Sequence, residues 1–153
     1  MRAFISYSLV DRELYIISLL SKKLRNDGYD LHSRLDLHKN TLDLNTEQKI
    51  SSSQLFIGII SYNGQQRSRV LQEWQYATNN KIPAVLLIEE NVPIVPNSDR
   101  NSYIKFNRHN PQPAIEKIHQ KMSSKRDDEE AAGWVLAGAA LLAILALFSS
   151  NKK

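Results

Sequence analysis

Five short runs rich in branched and aromatic residues punctuate the chain: AFIS at 3–6, YDLHS at 29–33, LFIGIIS at 55–61, AVLLIE at 84–89 and YIKF at 103–106. Each is of strand length, and stretches with helical spacing separate most of them. Over 10–24, Leu14, Ile17, Leu20 and Leu24 hold one face, with Ser8 and Asp11 as a capping-type start and Gly28 as a stop just beyond. A second, less apolar helix is predicted over 42–52, a third around SRVLQEWQYA at 68–77, and a fourth over 113–122 with Ile115, Ile118 and Met122 on one side. The Pro-containing segment NVPIVPNSDRNS, 91–102, reads as an irregular loop in place of a helix. The third run is almost unbroken apolar, as a strand covered on both faces must be. Strand and helix alternating in this way predict an α/β fold, a flavodoxin-like five-stranded parallel sheet with helices on both faces.

In such sheets ligands sit beyond the carboxyl ends of the strands. The loops that gather there are 7–11, 34–41, 62–67 and 90–100. The third helix feeds into the same crevice. Val70, Leu71, Trp74 and Ala77 make its apolar stripe, and Glu73 lies on the shoulder, about 40° from Ala77 at roughly 100° per residue. A carboxylate one to two turns into a helix is explained equally by a surface residue favoured by the helix dipole and by a functional group aimed at the crevice.

Composition changes the picture at the C-terminus. The 153 residues suit one domain plus an appendage, and AAGWVLAGAALLAILALFSS at 131–150 carries no charge between KRDDEE and NKK. About 20 apolar residues cross roughly 30 Å of hydrocarbon, so this run predicts a transmembrane helix, with Trp134 as an interfacial anchor. The expected organisation is a domain over 1–124, a charged linker over 125–130 and the span over 131–150. The chain starts directly with MRAFISYS, without a charged-then-apolar leader, so the expected location is a single-pass membrane protein whose domain faces the cytoplasm. With no cysteine there are no disulfides or thiolate metal sites, and the spacing of the four histidines suggests no metal. Residues 1–126 hold eighteen Lys and Arg against twelve Asp and Glu, but the surplus is spread along the chain, and no nucleic-acid-binding pattern appears.

The blocks FISYSLVDRELYIISLLSKKLRNDGYDLH, QKISSSQLFIGIIS, the helix containing EWQYA, and KIPAVLLIEE follow one another over residues 2–122 in an order and spacing that resemble a Toll/interleukin-1 receptor (TIR) domain. The resemblance implies a flavodoxin-like fold and two lifestyles, assembly with other TIR domains and cleavage of NAD+ between nicotinamide and ribose. The glutamate that performs the cleavage lies in the helix after the third strand, and its match is Glu73, followed by Trp74 and Ala77. That chemistry expels a neutral nicotinamide and leaves an oxocarbenium-like ribose, which a carboxylate stabilises. Because the leaving group needs no proton, one carboxylate suffices.

NAD+ is then the substrate, and no resident cofactor is expected. Tyr7 and Ser8, at the first strand-to-helix turn, are candidate nucleotide contacts. So are Arg34 and Asp36, in the loop that in TIR domains commonly governs assembly and nucleotide access, where Leu35 and Leu37 suit an interface. Arg69 stands four residues before Glu73, where NAD-cleaving members often carry tryptophan; it either faces the pyrophosphate or is solvated on the helix exterior. Trp74, core by its place on the wheel, is carried with them as the neighbour of Glu73. The expected function is a membrane-anchored TIR protein that converts NAD+ to ADP-ribose or a cyclic or conjugated form on self-assembly, in bacterial antiviral defence. The alternatives are a non-catalytic TIR adaptor or effector acting through assembly and membrane disruption, and, more remotely, a deoxyribosyltransferase relative acting on nucleosides.

Overall fold

The structure is a computed structural model and describes residues 1–8, 10, 14–63, 66–93 and 103–127, with side chains described as far as 121 in the last helix. The five predicted strands form as β1 (Arg2–Ser6), β2 (Asp30–His32), β3 (Leu55–Ile60), β4 (Ala84–Glu89) and β5 (Tyr103–Phe106). The helices are α1 (Tyr15–Asn26), α2 (Leu44–Ser51), α3 (Arg67–Asn79) and α4 (Gln112–Asp127). All strand pairs are parallel, in the order β2-β1-β3-β4-β5. The chain therefore leaves β1 toward one edge and resumes at β3 on its other side, which makes the β1/β3 boundary the switch point where a crevice opens.

Side chains of alternate parity along the strands feed two cores. On one face Ala3, Ile5, Ile57, Ile59, Val85 and Leu87 meet Ile16, Leu20 and Leu24 of α1 and Ala114, Ile115 and Ile118 of α4. On the other, Phe4, Phe56, Ile60, Leu86 and Ile88 meet Ile50 of α2 and Val70, Leu71, Trp74 and Ala77 of α3. Phe4 and Phe56 stack there with ring centroids 5.8 Å apart. Every residue of β3 and β4 is buried, as the unbroken apolar runs required. Gly58 lets α3 settle on β3, because a Cβ there would lie 2.7 Å from Leu86 Cδ2 and 3.2 Å from Val70 Cγ1.

Helix ends account for most departures from expectation. α1 begins at Tyr15, five residues after the predicted start, with Leu14 at the N-cap and no side-chain cap; Asp11 lies outside the described residues. Its buried row is Ile16, Leu20 and Leu24, while Ile17 tips toward Tyr7 and Leu31 near the β2 edge. The stop is as predicted: Gly28 has φ +90°, its N–H donates to Arg25 O, and Tyr29 N–H donates to Leu24 O, a Schellman closure. α2 is capped by Asp43, whose carboxylate accepts from Thr46 N at 2.8 Å. α4 continues through Asp127, into the predicted linker. The proposed span, 131–150, and the loop over 94–102 lie outside the described residues. Among the described residues no helix is long and apolar enough to cross a membrane.

Candidate functional site

β1 ends at Ser6 beside Gly58 of β3, at the switch point, and α3 crosses the same face. Ser6 shares the parity of Phe4, so its hydroxyl points toward α3 and donates to Glu73 Oε2. Glu73 is wholly buried, not on the helix shoulder. Its other oxygen, Oε1, accepts from Arg34 Nη1 at 3.0 Å and from Arg69 Nη1 at 3.3 Å. One carboxylate thus meets three donors, two of them guanidinium groups.

Arg69 lies one helical turn before Glu73 on the same row, the i,i+4 spacing that lets side chains meet. It is completely buried, which overturns its reading as a solvated exterior residue. Its Nη2 donates to Tyr7 O at 2.7 Å, tying α3 to the end of β1, while its Nε has no partner. Burial holds the Arg69 guanidinium below its usual pKa, with Glu73 acting in the opposite direction.

Arg34 reaches the cluster from just beyond β2, through a side chain only 1% exposed. Its Nε donates to Asp36 O at 2.7 Å, its Nη2 to Thr41 O at 2.8 Å and to Asp43 Oδ2 at 3.2 Å. The side chain therefore knots residues 34–43 into a closed loop and pins that loop to Glu73. Asp43, half in solvent, closes the outer side, and hydrogen bonds to Thr46 hold its carboxyl below the ordinary value of 3.8. Thr41 and Asp43 were not among the sequence candidates, although Asp43 three residues ahead of Thr46 at a helix start is a legible capping pattern.

Glu73, Arg34 and Arg69 are brought together; the other candidates are placed differently. Ser8 is 2% exposed with its Oγ unpartnered. Tyr7 contributes only its carbonyl to the cluster, because its ring packs against the α1 core on the opposite face of the sheet. There it lines a cleft with Ile17, Arg25, Leu31 and His32. Asp36 turns its carboxylate to His38 N at 2.9 Å, stabilising the loop rather than facing Glu73. Trp74 lies fully inside the α3 core, packed with Val70, Leu71 and Ala77. Leu35 stands 82% exposed at the tip of the loop, and Leu37 is half-buried.

A description of the TIR domain family matches residues 3–120. The chain belongs to the TIR domain family. This TIR domain is similar in fold to Clostridium botulinum CMP N-glycosidase BcmB, at 17% identity over 78% of this chain and 99% of that one, with a TM-score of 0.54. It is also similar to the TIR domains of the activated Roq1 resistosome that recognises the pathogen effector XopQ, at 13% identity over 95% of this chain and 83% of that one, with a TM-score of 0.48. No curated protein matches it.

Proposed function

We propose that this TIR domain is a nucleotide N-glycosidase that cleaves NAD+ with Glu73. The observation that carries the reading is the position of that carboxylate, buried at the β1/β3 switch point where the strands end. In the reaction the bond from ribose C1′ to the nicotinamide nitrogen breaks, and its electron pair leaves with neutral nicotinamide. Glu73 stabilises the positive charge that develops on the ribose. Water then adds to C1′ and releases a proton, giving ADP-ribose; an internal nucleophile in its place gives a cyclic product. The glycosidase activity named for the Clostridium botulinum relative is the same class of bond cleavage, on another nucleotide.

In the closed arrangement both oxygens of Glu73 are occupied, so substrate reaches it when Ser6, Arg34 or Arg69 gives way. The exposed Leu35 is the next residue to Arg34. A neighbouring TIR domain that engages Leu35 would draw on the knotted loop and withdraw Arg34, which couples activity to self-assembly. Tethering through 131–150 would raise the effective concentration of the domains at a membrane, suited to a triggered response such as antiviral defence. The full pairing of Glu73 favours one second reading, a non-catalytic assembly module in which the cluster only holds the loop.

The test incubates the purified full-length protein, wild type and Glu73→Gln, with NAD+ at high density on liposomes and follows nicotinamide release by chromatography. Loss of a group that stabilises transition-state charge predicts a fall of about 100-fold or more. Equal release from both proteins, or none from either, rejects the enzymatic reading and leaves the assembly module.

A further inference from the structure

Among the described residues, two buried donors beside the end of β1 have no acceptor. Ser8 Oγ and Arg69 Nε are each without a partner, in side chains 2% and 0% exposed. Buried polar groups are nearly always satisfied, so a pair of orphans at one place calls for an explanation. They are close in the fold: Arg69 Nη2 is bonded to the carbonyl of Tyr7, the residue that precedes Ser8. Both belong to the end of β1 and the first turn of α3. Among the described residues, that first turn holds no acidic residue to set against the positive pole of the helix dipole.

The charge balance points the same way. Two buried guanidinium groups share one buried carboxylate, and the remaining acid, Asp43, is 36% exposed and engages Arg34 rather than Arg69. Arg69 therefore carries the excess cationic character, and its unused Nε–H shares a guanidinium edge with Nη2, the nitrogen bonded to the carbonyl of Tyr7 beside Ser8.

We propose that Ser8 Oγ and Arg69 Nε form a subsite for the 5′-phosphate of the ribose whose glycosidic bond is cleaved. The inference rests on the glycosidase reading for the identity of that ribose, and on the two orphan donors for the anion. Arg69 touches Glu73 through Nη1 at 3.3 Å, so an anion on its Nε edge lies one guanidinium width from the carboxylate that faces C1′. The phosphate on the 5′ carbon is the anionic group of the same sugar ring. A nucleoside monophosphate and the nicotinamide half of NAD+ both carry it. Binding also changes Glu73: once a phosphate oxygen shares Arg69, less of that cation's charge falls on the carboxylate, which is then better able to stabilise a cationic ribose.

Nicotinamide mononucleotide and nicotinamide riboside differ only in that phosphate, and binding is read by calorimetry on the full-length protein, with NAD+ as a third arm to separate a monoester from a pyrophosphate. The wild type is expected to bind the mononucleotide, NAD+ or both at least about tenfold more tightly than the riboside, a difference within reach of one charge-assisted contact. Ser8→Ala should shrink the preference several-fold and Arg69→Gln should abolish it, read as the ratio of mononucleotide to riboside affinity within each variant. If Arg69→Gln does not fold, Ser8→Ala and Arg69→Lys carry the test, the latter keeping charge but losing the Nε donor. Equal affinities in the wild type, no binding of any of the three, or a preference intact in the variants overturns the subsite. Preferential binding of phosphorylated ligands without nicotinamide release would keep the subsite and reject the glycosidase; release at equal efficiency from NAD+ and the riboside would do the reverse.

Discussion

Glu73→Gln should destabilise the fold as well as silence the chemistry. Glutamine preserves the volume and one carbonyl acceptor, so the perturbation is the loss of charge opposite Arg34 and Arg69, whose side chains are 1% and 0% exposed. Removing one partner of a buried ion pair costs about 3–5 kcal/mol, because the other charge stays buried without compensation. The neutral amide still offers hydrogen bonds of about 0.5–1.5 kcal/mol each. Arg34 also keeps Asp43 and two backbone carbonyls, and Arg69 keeps the Tyr7 carbonyl. The lower end of the range therefore applies, about 3 kcal/mol, which for a domain of this size lowers Tm by roughly 10 °C. The assay is thermal and urea denaturation followed by circular dichroism. A double-mutant cycle with Arg69→Met sharpens it: taking out both charges should destabilise less than the sum of the single changes by about 1 kcal/mol or more, since neither charge is left stranded. An unchanged or raised Tm for Glu73→Gln, or strict additivity in the cycle, would mean that the cluster does not form as described.

Two other outcomes follow from the fold and a third from the sequence. Asp43→Ala should cost about 1 kcal/mol near neutral pH by removing the α2 cap. Because the Asp43 carboxyl is held below 3.8, its contribution is complete above that value and fades as pH falls through the lower folded value, so wild type and variant should converge in acid urea titrations. Gly58→Ala drives a methyl against Leu86 and Val70 and should cost about 1–3 kcal/mol by chemical denaturation, with α3 and its cluster displaced. A chain ending at residue 130 should move from the membrane to the soluble fraction on cell fractionation; retention in the membrane would count against 131–150 as the anchor.

The sheet was legible because its evidence is local. Most strands are compact runs of branched and aromatic residues, and the nearly unbroken apolar ones at 55–60 and 84–89 are the two covered on both faces. Gly28 announced the end of α1, since a left-handed residue closing a helix is a short-range signal. The start of α1 was placed five residues early on a reading of Ser8 as part of a cap. Ser8 is drawn into the protein beside the end of β1 instead, and the helix waits until Tyr15.

The site was legible residue by residue but not as a unit, and the reason is physical. A helical wheel ranks positions by distance from one apolar stripe, and on that measure 69 and 73 lie off the stripe. Their burial comes from elsewhere in the chain: the segment from Arg34 to Asp43 folds over the end of the sheet and supplies the guanidinium that covers Glu73. Tyr7 meets the cluster through its carbonyl alone, since it has the parity of Ile5 and its ring goes to the α1 face. Arg69 carries the largest consequence. A solvated arginine would leave Glu73 to Ser6 and Arg34; a buried one adds a second guanidinium to the carboxylate and ties the cluster to the end of β1. On the proposed reading, chemistry at Glu73 depends on what replaces that pairing, and a substrate that brings its own anion to Arg69 would supply the replacement as it binds.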